Sequence, residues 1–582
     1  MNNETRTCQN CKNQFTIEPD DFTFYKKMGV PPPTFCPECR LKRRLMFRNE
    51  RTYYRRKCDL CKKDIIATYP ADVSFPVYCQ KCWWGDGWDP FSYARDFDFS
   101  KSFFEQFEEL YLAVPHLSIQ NDDGIGSTNS EYAYDFAFSK NCYMTAAGWY
   151  VENGMYSYYT CYDKDVVDCY FVNNSELMYQ CIAGDKCYRC SYCTFTYDSR
   201  DCTFCYDMRG CSDCILSVGL RNKQYCIFNK QYSREEYLAE KERMRLHAYD
   251  SMQKLRGELD RFALTFPRKY ANIVKSVTTS GNVLINCKAS RNSFFADNLE
   301  NSSFILFVDG AKDCYDCNNT GRPNSCYEGL TPDESYKDIA TVYCWRCTEV
   351  SYSHNCHGSE YLFGCSGVKK GSYAILNKRF SKEEYEIQKE KIEEHMKKTG
   401  EWGEFFPFGF SPFAYNETSA HERYPLVKDE AMRQGFGWKE PEEKNYKVDV
   451  LPDDVPNTIV GIGDEITNKV IGCTHAGTCN EKCTTAFRVT PLELQFYRKM
   501  NLPLPRLCPN CRHYERFNAC TPTKLWTRAC MCGGEKSERG VYTNSTEHSH
   551  GDSHCPNKFE TSYSPERQEI VYCETCYQKE VV

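Results

Sequence analysis

Paired Cys-x2-Cys knuckles at both ends, cysteines recurring about every 20 residues between them, and an aromatic content of 15% predict a mainly β fold with helices: two β-solenoid-like repeat segments flanked by paired zinc ribbons. The chain's 582 residues allow several domains and a sizeable core. Its 43 tyrosines favour strands over helical bundles. In chain order we expect tandem ribbons over 1–90, a helical connector over 91–125 and repeat segment A over 126–230. A helix and connector follow over 231–280, then repeat segment B over 281–377. A helix with an aromatic, Pro-rich connector covers 378–470, and a second tandem ribbon set with a His-rich insert covers 471–582.

A Cys-x2-Cys knuckle turns both sulfurs to one side, and two knuckles place four thiolates tetrahedrally around one zinc ion. Cys8 and Cys11 are followed by Cys36 and Cys39, and then Cys58 and Cys61 by Cys79 and Cys82. Near the other end, Cys479 and Cys483 are followed by Cys508 and Cys511, then by Cys530 and Cys532; Cys573 and Cys576 close the set. The interval from Cys11 to Cys36 equals that from Cys483 to Cys508, and the interval from Cys39 to Cys58 equals that from Cys511 to Cys530. Phe15, Phe24, Tyr25, Lys27, Met28, Pro33, Cys36 and Pro37 recur as Phe487, Phe496, Tyr497, Lys499, Met500, Pro505, Cys508 and Pro509, each offset by 472, which marks an internal duplication. These sixteen cysteines predict about four structural zinc ions, because four thiolates leave no open position for a catalytic water. The second copy departs from the first in its wider first knuckle, in Cys530-Met531-Cys532, and in an insert carrying His548, His550, His554 and Cys555. That insert reads as a polar loop with incidental histidines, ahead of ligand exchange or an extra metal.

FTFYKKMGVPPPTFCPECR and LQFYRKMNLPLPRLCPNCR resemble the zinc-ribbon family of treble-clef type over about 40 residues at each end. That resemblance implies zinc binding and no particular activity. The whole chain also resembles uncharacterised multi-domain proteins of candidate-phyla bacteria that join such ribbons to Cys/Tyr-rich central repeats.

A net charge of −7 excludes a globally basic polyanion binder. The opening residues, MNNETRTCQN, are polar, without a signal-peptide core. No apolar run reaches the roughly 18 residues of a membrane span. A reducing cytoplasm, with cysteines as zinc thiolates or buried thiols and no membrane partner, is the expectation. A disulfide framework in a trimmed secretory precursor is the weaker alternative.

In the centre, Cys142, Cys161, Cys181 and Cys202 step by 19, 20 and 21, and Cys169, Cys190 and Cys211 by 21 and 21. Cys326, Cys347 and Cys365 step by 21 and 18. Such recurrence with short β-prone runs suggests coils that stack one inward cysteine on the next. Several pairs, such as Cys187/Cys190 and Cys344/Cys347, also have metal-ligand spacing. Small buried thiols are the preferred reading. YCIFNKQYSREEY and YAILNKRFSKEEY end the two segments alike. Ser233 with Glu236 and Ser381 with Glu384 have capping-box spacing, so helices are expected to about Phe262 and Lys398. A further short helix is expected near 100–113.

One strip suggests a partner. Arg40, Lys42, Arg43, Arg44, Arg48, Arg51, Arg55, Arg56 and Lys57 fall within 40–57, a stretch holding one acid and interleaved aromatics. Arginine forks bind phosphate and rings stack on unpaired bases, so RNA or a ribonucleoprotein is a candidate partner. An acidic protein surface, the chain's own included, is the competing reading. The second copy keeps Arg40, Arg44 and Arg56 as Arg512, Arg516 and Arg528 but has Glu515 for Arg43. Asp122, Asp123, Asp198, Asp201, Asp207 and Asp213 could serve a carbohydrate-active face, although Asp also favours turns. No nucleophile elbow, phosphate loop or HExxH is present. A non-catalytic, zinc-stabilised binding protein is therefore favoured, with a protein-interaction scaffold or a carbohydrate-binding or carbohydrate-active solenoid as alternatives.

Overall fold

From Ala133 to Ile227 the chain winds upward in coils, and each residue lies beneath its counterpart at i+12. Four-residue strands alternate between two parallel sheets. Tyr158, Tyr170, Ile182, Thr194 and Tyr206 are neighbours in one sheet. Lys164, Glu176, Tyr188, Arg200, Ser212 and Gln224 are neighbours in the other. The computed structural model describes residues 2–121, 127–319, 325–331, 337–440 and 446–581. Over these the architecture is mixed α/β, with long parallel sheets of short repeated strands.

The period is not near 20. The backbone enters the left-handed region at every third residue, as at Asp165, Asp168, Phe171, Asn174, Leu177 and Gln180, with φ from 51 to 60°. Four sides of three residues each therefore complete one coil. The sequence intervals of 21 and 18 are multiples of three but not of twelve, so those cysteines share the inward position of the triplet on different sides of the coil. Cys161, out of phase with the triplet, is half-buried, whereas Cys142, Cys181 and Cys202 are buried. Left-handed geometry disfavours most side chains, and Asn and Asp tolerate it best. Asn141, Asn153, Asp165, Asn174, Asp198, Asp201, Asp207 and Asp213 occupy such corners, which gives the Asp and Asn enrichment a backbone cause.

The inner side chains are small and carry a donor. Cys181 donates its thiol to the carbonyls of Tyr179 (3.4 Å) and Cys190 (3.5 Å), and Cys193 to those of Ser191 and Cys202 (3.4 Å each). Ser157 makes the same pair of bonds to Met155 and Val166, and accepts from the Cys169 amide one coil later at 3.1 Å. The buried thiol or hydroxyl is thereby itself satisfied, on carbonyls such as Tyr179 and Ser191 that also accept an amide from the next coil. Burial pushes the Cys193 thiol up to about 11 and Cys142 to about 12, so both stay protonated at neutral pH.

A second stack begins at Ile273 and ends at Ile375. It includes Val277–Ile285, Lys288–Glu300 and Leu306–Lys312, then Thr348–Ser351, Glu360–Phe363 and Ser372–Ile375. Single bridges, each spanning one coil, join Ser303, Tyr315, Tyr327, Ile339 and Ser351. One disulfide, Cys317–Cys326, lies in this stack. Gly281 (φ 137°) sits at a register shift, and a Cβ there would lie 1.7 Å from the Ser293 carbonyl oxygen.

Each stack ends in a short antiparallel return and a capped helix. Both capping boxes form, Ser233 with Glu236 and Ser381 with Glu384. The fully buried Tyr237 and Tyr385 lie on these helices. The helix expected to run unbroken to Phe262 is two, Arg234–Arg243 and Tyr249–Ala263, because Ala248 is extended and bridges Thr458. The later one, Lys382–Thr399, stops at left-handed Gly400. The helix expected near 100–113 is Phe103–Ala113, and Phe103 packs edge-on to Tyr352 and Phe363 of the second stack. Among the described residues no helix is long and apolar enough to cross a membrane.

Two compact units interleave along the chain. One is 1–123 with 273–440; the other is 124–272 with 441–582. The N-terminal cysteine modules thus belong with the second stack, and the C-terminal modules with the first.

Candidate metal centres

Four four-cysteine groups bring their sulfurs within 4.8 Å of one another: Cys8/Cys11/Cys36/Cys39, Cys58/Cys61/Cys79/Cys82, Cys473/Cys483/Cys508/Cys511 and Cys530/Cys555/Cys573/Cys576. Each could hold a metal ion such as zinc. A common local frame positions them. A two-stranded antiparallel ribbon carries the first ligand, as in Glu4–Thr7 with Gln14–Ile17, or Tyr54–Lys57 with Asp64–Ala67. The last two ligands sit at the start of a helix, such as Pro37–Leu45 or Gln80–Trp84.

The donor set fits a cation. In every group the amide of the third cysteine donates to the sulfur of the first: Cys36 to Cys8 (3.2 Å), Cys79 to Cys58 (3.3 Å), Cys508 to Cys473 (3.2 Å) and Cys573 to Cys530 (3.2 Å). Such bonds favour thiolate over thiol. Within a pair the proton is shared unevenly: the bond between Cys36 and Cys39 brings Cys39 down to about 5 and raises Cys36, and that between Cys530 and Cys573 brings Cys573 down to about 4 and raises Cys530. At Cys61 the backbone bond from Lys63 is the main cause of a value of about 7. The side-chain bond from Cys473 holds Cys508 well below the ordinary thiol range.

In the C-terminal copy the sequence reading missed two members. Cys473 joins Cys483, Cys508 and Cys511 in one four-sulfur group, and the expected Cys479 lies beside it, with Sγ 3.7 Å from Cys511 Sγ against 3.8 Å for Cys473. Cys555 completes the last group, whereas Cys532 instead joins His548, His550 and Cys576. In both C-terminal modules an insertion has opened the first knuckle, so its two cysteines come from opposite ends of a loop. Spacing alone hid this. The clue was the offset: Cys58 maps on Cys530, but Cys61 maps on Gly533.

The basic strip is placed differently from the expectation. Arg40, Arg43, Arg44 and Arg48 are 2% exposed or less, and Lys42 only 9%. Arg40 and Arg44 reach the two oxygens of buried Asp316 at 3.0 and 3.2 Å. Arg43 pairs with Glu328 at 2.6 Å and Glu404 at 3.2 Å, and Arg48 with Glu50 at 2.6 Å. Arg51 pairs with Glu422. The Lys42 ammonium lies 4.8 Å from the Phe436 ring centre. Arg56 donates to the Pro70 carbonyl and pairs with Asp59. Arg55 and Lys57 are exposed, and Lys57 pairs with Asp64. The inner arginines are consumed by the chain's own acids, and phosphate cannot reach them.

The duplication repeats this arrangement. Arg512 and Arg516 grip buried Asp168 at 2.8 and 2.9 Å. The step from Asp168 to Asp316 equals the step from Ser233 to Ser381. Tyr25 meets Tyr327 edge-on at 5.3 Å, and Tyr497 meets Tyr179 at 5.7 Å. Each pair therefore preserves both offsets. Arg40 and Arg44, kept as Arg512 and Arg516, hold module to stack, whereas Arg56, kept as Arg528, bonds within its own module; Glu515, in the place of Arg43, pairs with Arg256.

Asp198 is exposed; Asp201 pairs with Arg189; Asp207 is buried against Arg221 and Tyr577; Asp213 is half-buried. Asp122 and Asp123 lie outside the described residues. Buried His354 and His357, beside Cys356, carry values well below the imidazole norm, chiefly from burial. No family model matches the chain, and no curated protein matches it.

Proposed function

We propose that the protein is a non-catalytic binding scaffold: two β-solenoids, each clamped by a pair of zinc ribbons that hold about four structural zinc ions in all. The observation that carries this reading is the duplicated clasp, Arg40 and Arg44 on Asp316 and Arg512 and Arg516 on Asp168. The ribbons' most basic helix faces are spent on holding the solenoids. The surfaces left for a partner are the solenoid faces. On one, Phe138, Tyr150 and Tyr162 stack at 5.0 and 5.1 Å and are 38–54% exposed. Each ring turns a face to its neighbour, so the inner faces are taken up by the stack. That geometry suits a protein surface better than a sugar or base, which would need a free ring face.

Capture of native partners with and without nuclease tests the reading. Nuclease-resistant protein partners, lost on Tyr150→Ser with Tyr162→Ser, are expected. Partners released wholly by nuclease would instead restore RNA or a ribonucleoprotein, with Arg55 and Lys57 as the remaining exposed cations of the strip. Salt-sensitive RNA binding lost in Arg55→Glu/Lys57→Glu would show the same.

A further inference from the structure

The insert between Cys532 and Cys555 has no counterpart in the N-terminal copy, where only Asp59 and Leu60 separate Cys58 from Cys61. It delivers two histidines to the edge of the last four-cysteine group. Cys532, His548, His550 and Cys576 bring one ligand atom each within 4.8 Å of the others, and Cys576 belongs to the neighbouring Cys530/Cys555/Cys573/Cys576 group as well.

Both imidazoles are oriented. His550 Nδ1 lies 2.6 Å from the Ser553 carbonyl, so it carries the proton, and bare Nε2 faces Cys576 Sγ at 3.3 Å. His548 Nε2 lies 3.0 Å from Glu580 Oε1, which leaves Nδ1 as the lone-pair nitrogen. Glu580 is itself fixed. Ser545 donates its amide and hydroxyl, Thr546 likewise, and Tyr542 its phenol. The His548 and Glu580 side chains are 1% and 0% exposed. A carboxylate or carbonyl on the far nitrogen is how ligating histidines are held, and nothing else in a polar loop calls for two such histidines aimed at thiols. Asn544 donates to Cys532 Sγ at 3.2 Å and so fixes where that sulfur lies.

We propose that this module closes around two metal ions bridged by Cys576: one held by Cys530, Cys555, Cys573 and Cys576, the second by Cys532, His548, His550 and Cys576. Two cysteines and two histidines are a tetrahedral zinc donor set. Five thiolates shared by two divalent ions leave less residual charge than four thiolates on one. Glu580 is a positioning residue for His548.

The proposal rests on reading the ribbons as zinc sites, and the test separates the two. Zinc-loaded wild-type protein is examined by X-ray absorption and native mass spectrometry, beside His548→Asn/His550→Asn, Cys576→Ser and Glu580→Gln. An imidazole contribution to the zinc shell is expected in the wild type. The double histidine variant should carry one ion fewer, and Cys576→Ser two fewer. Glu580→Gln should release one ion to chelator about 10–100-fold more readily. Sulfur-only zinc, or unchanged metal content without the histidines, overturns the second site while leaving the ribbons intact. Loss of a single ion in Cys576→Ser overturns the bridge. Protein without zinc overturns both readings.

Discussion

Arg512 Nε lies 2.8 Å from the Asp168 carboxylate, with 2% and 0% of the two side chains exposed. Removing the carboxylate would take the acid from buried Arg516 and leave Arg512 with Glu493 alone. Asp168→Ala is therefore expected to destabilise its unit by about 3–5 kcal/mol. Asp316→Ala should do the same to the other unit. Urea unfolding followed by hydrogen exchange reads both, since protection should fall in one unit at a time. Equal loss in both units from either variant would contradict two separate clasps.

The opened knuckle gives a second expectation. Cys473→Ser should lower metal content by one ion, because Cys473 receives the Cys508 amide. Cys479→Ser should leave the count unchanged. Native mass spectrometry distinguishes them, and the reverse pattern would return Cys479 to the ligand set.

Thiol chemistry gives a third. Cys181, Cys193 and Cys205 are buried, and burial raises each thiol above its ordinary value. Only the thiolate is nucleophilic. At pH 8 an alkylating reagent should spare these three until the chain is unfolded. Cys11 and Cys61, exposed on their knuckles, should react as soon as a chelator has removed the metal. Peptide mass mapping reads each site; early labelling of the inner three would refute a closed core.

A fourth concerns acid. His116 is fully buried, stacked 3.8 Å from Phe75, and burial lowers it to about 4. The unfolded chain, with an imidazole near 6.5, binds the proton more readily. Stability from this group is thus complete above pH 6.5 and declines as pH falls towards 4, by about 3 kcal/mol. In His116→Gln the urea midpoint of that unit should vary less between pH 7 and 4.5 than in the wild type. An equal slope would place the acid sensitivity elsewhere.

Sequence revealed the ends better than the middle. Offsets of 472 tied residues as distant as Phe15 and Phe487 to one local frame, because a metal site demands fixed spacing. The same demand misled where insertions opened a knuckle: Cys473 and Cys555 have no Cys-x2-Cys neighbour to announce them. In the stacks the inner face accepts Cys, Ser, Thr, Gly or Val alike, so no residue type recurs once per coil and the triplet stays hidden behind looser intervals. The basic strip could not be resolved because charge spacing is the same whether an arginine meets phosphate or Asp316. The one discriminating sign was retention of Arg40 and Arg44 in the second copy.

Interleaving of the two units has a consequence for synthesis on the ribosome. The first cysteine modules emerge well before the coils they close upon, and the first coils wait for modules made last. For much of translation each nascent half shows an uncovered flank. Ending the chain near residue 440 would complete one unit and leave the other without its closing partner. A rearranged gene that joins 124–272 directly to 441–582 should, by contrast, yield one self-sufficient half.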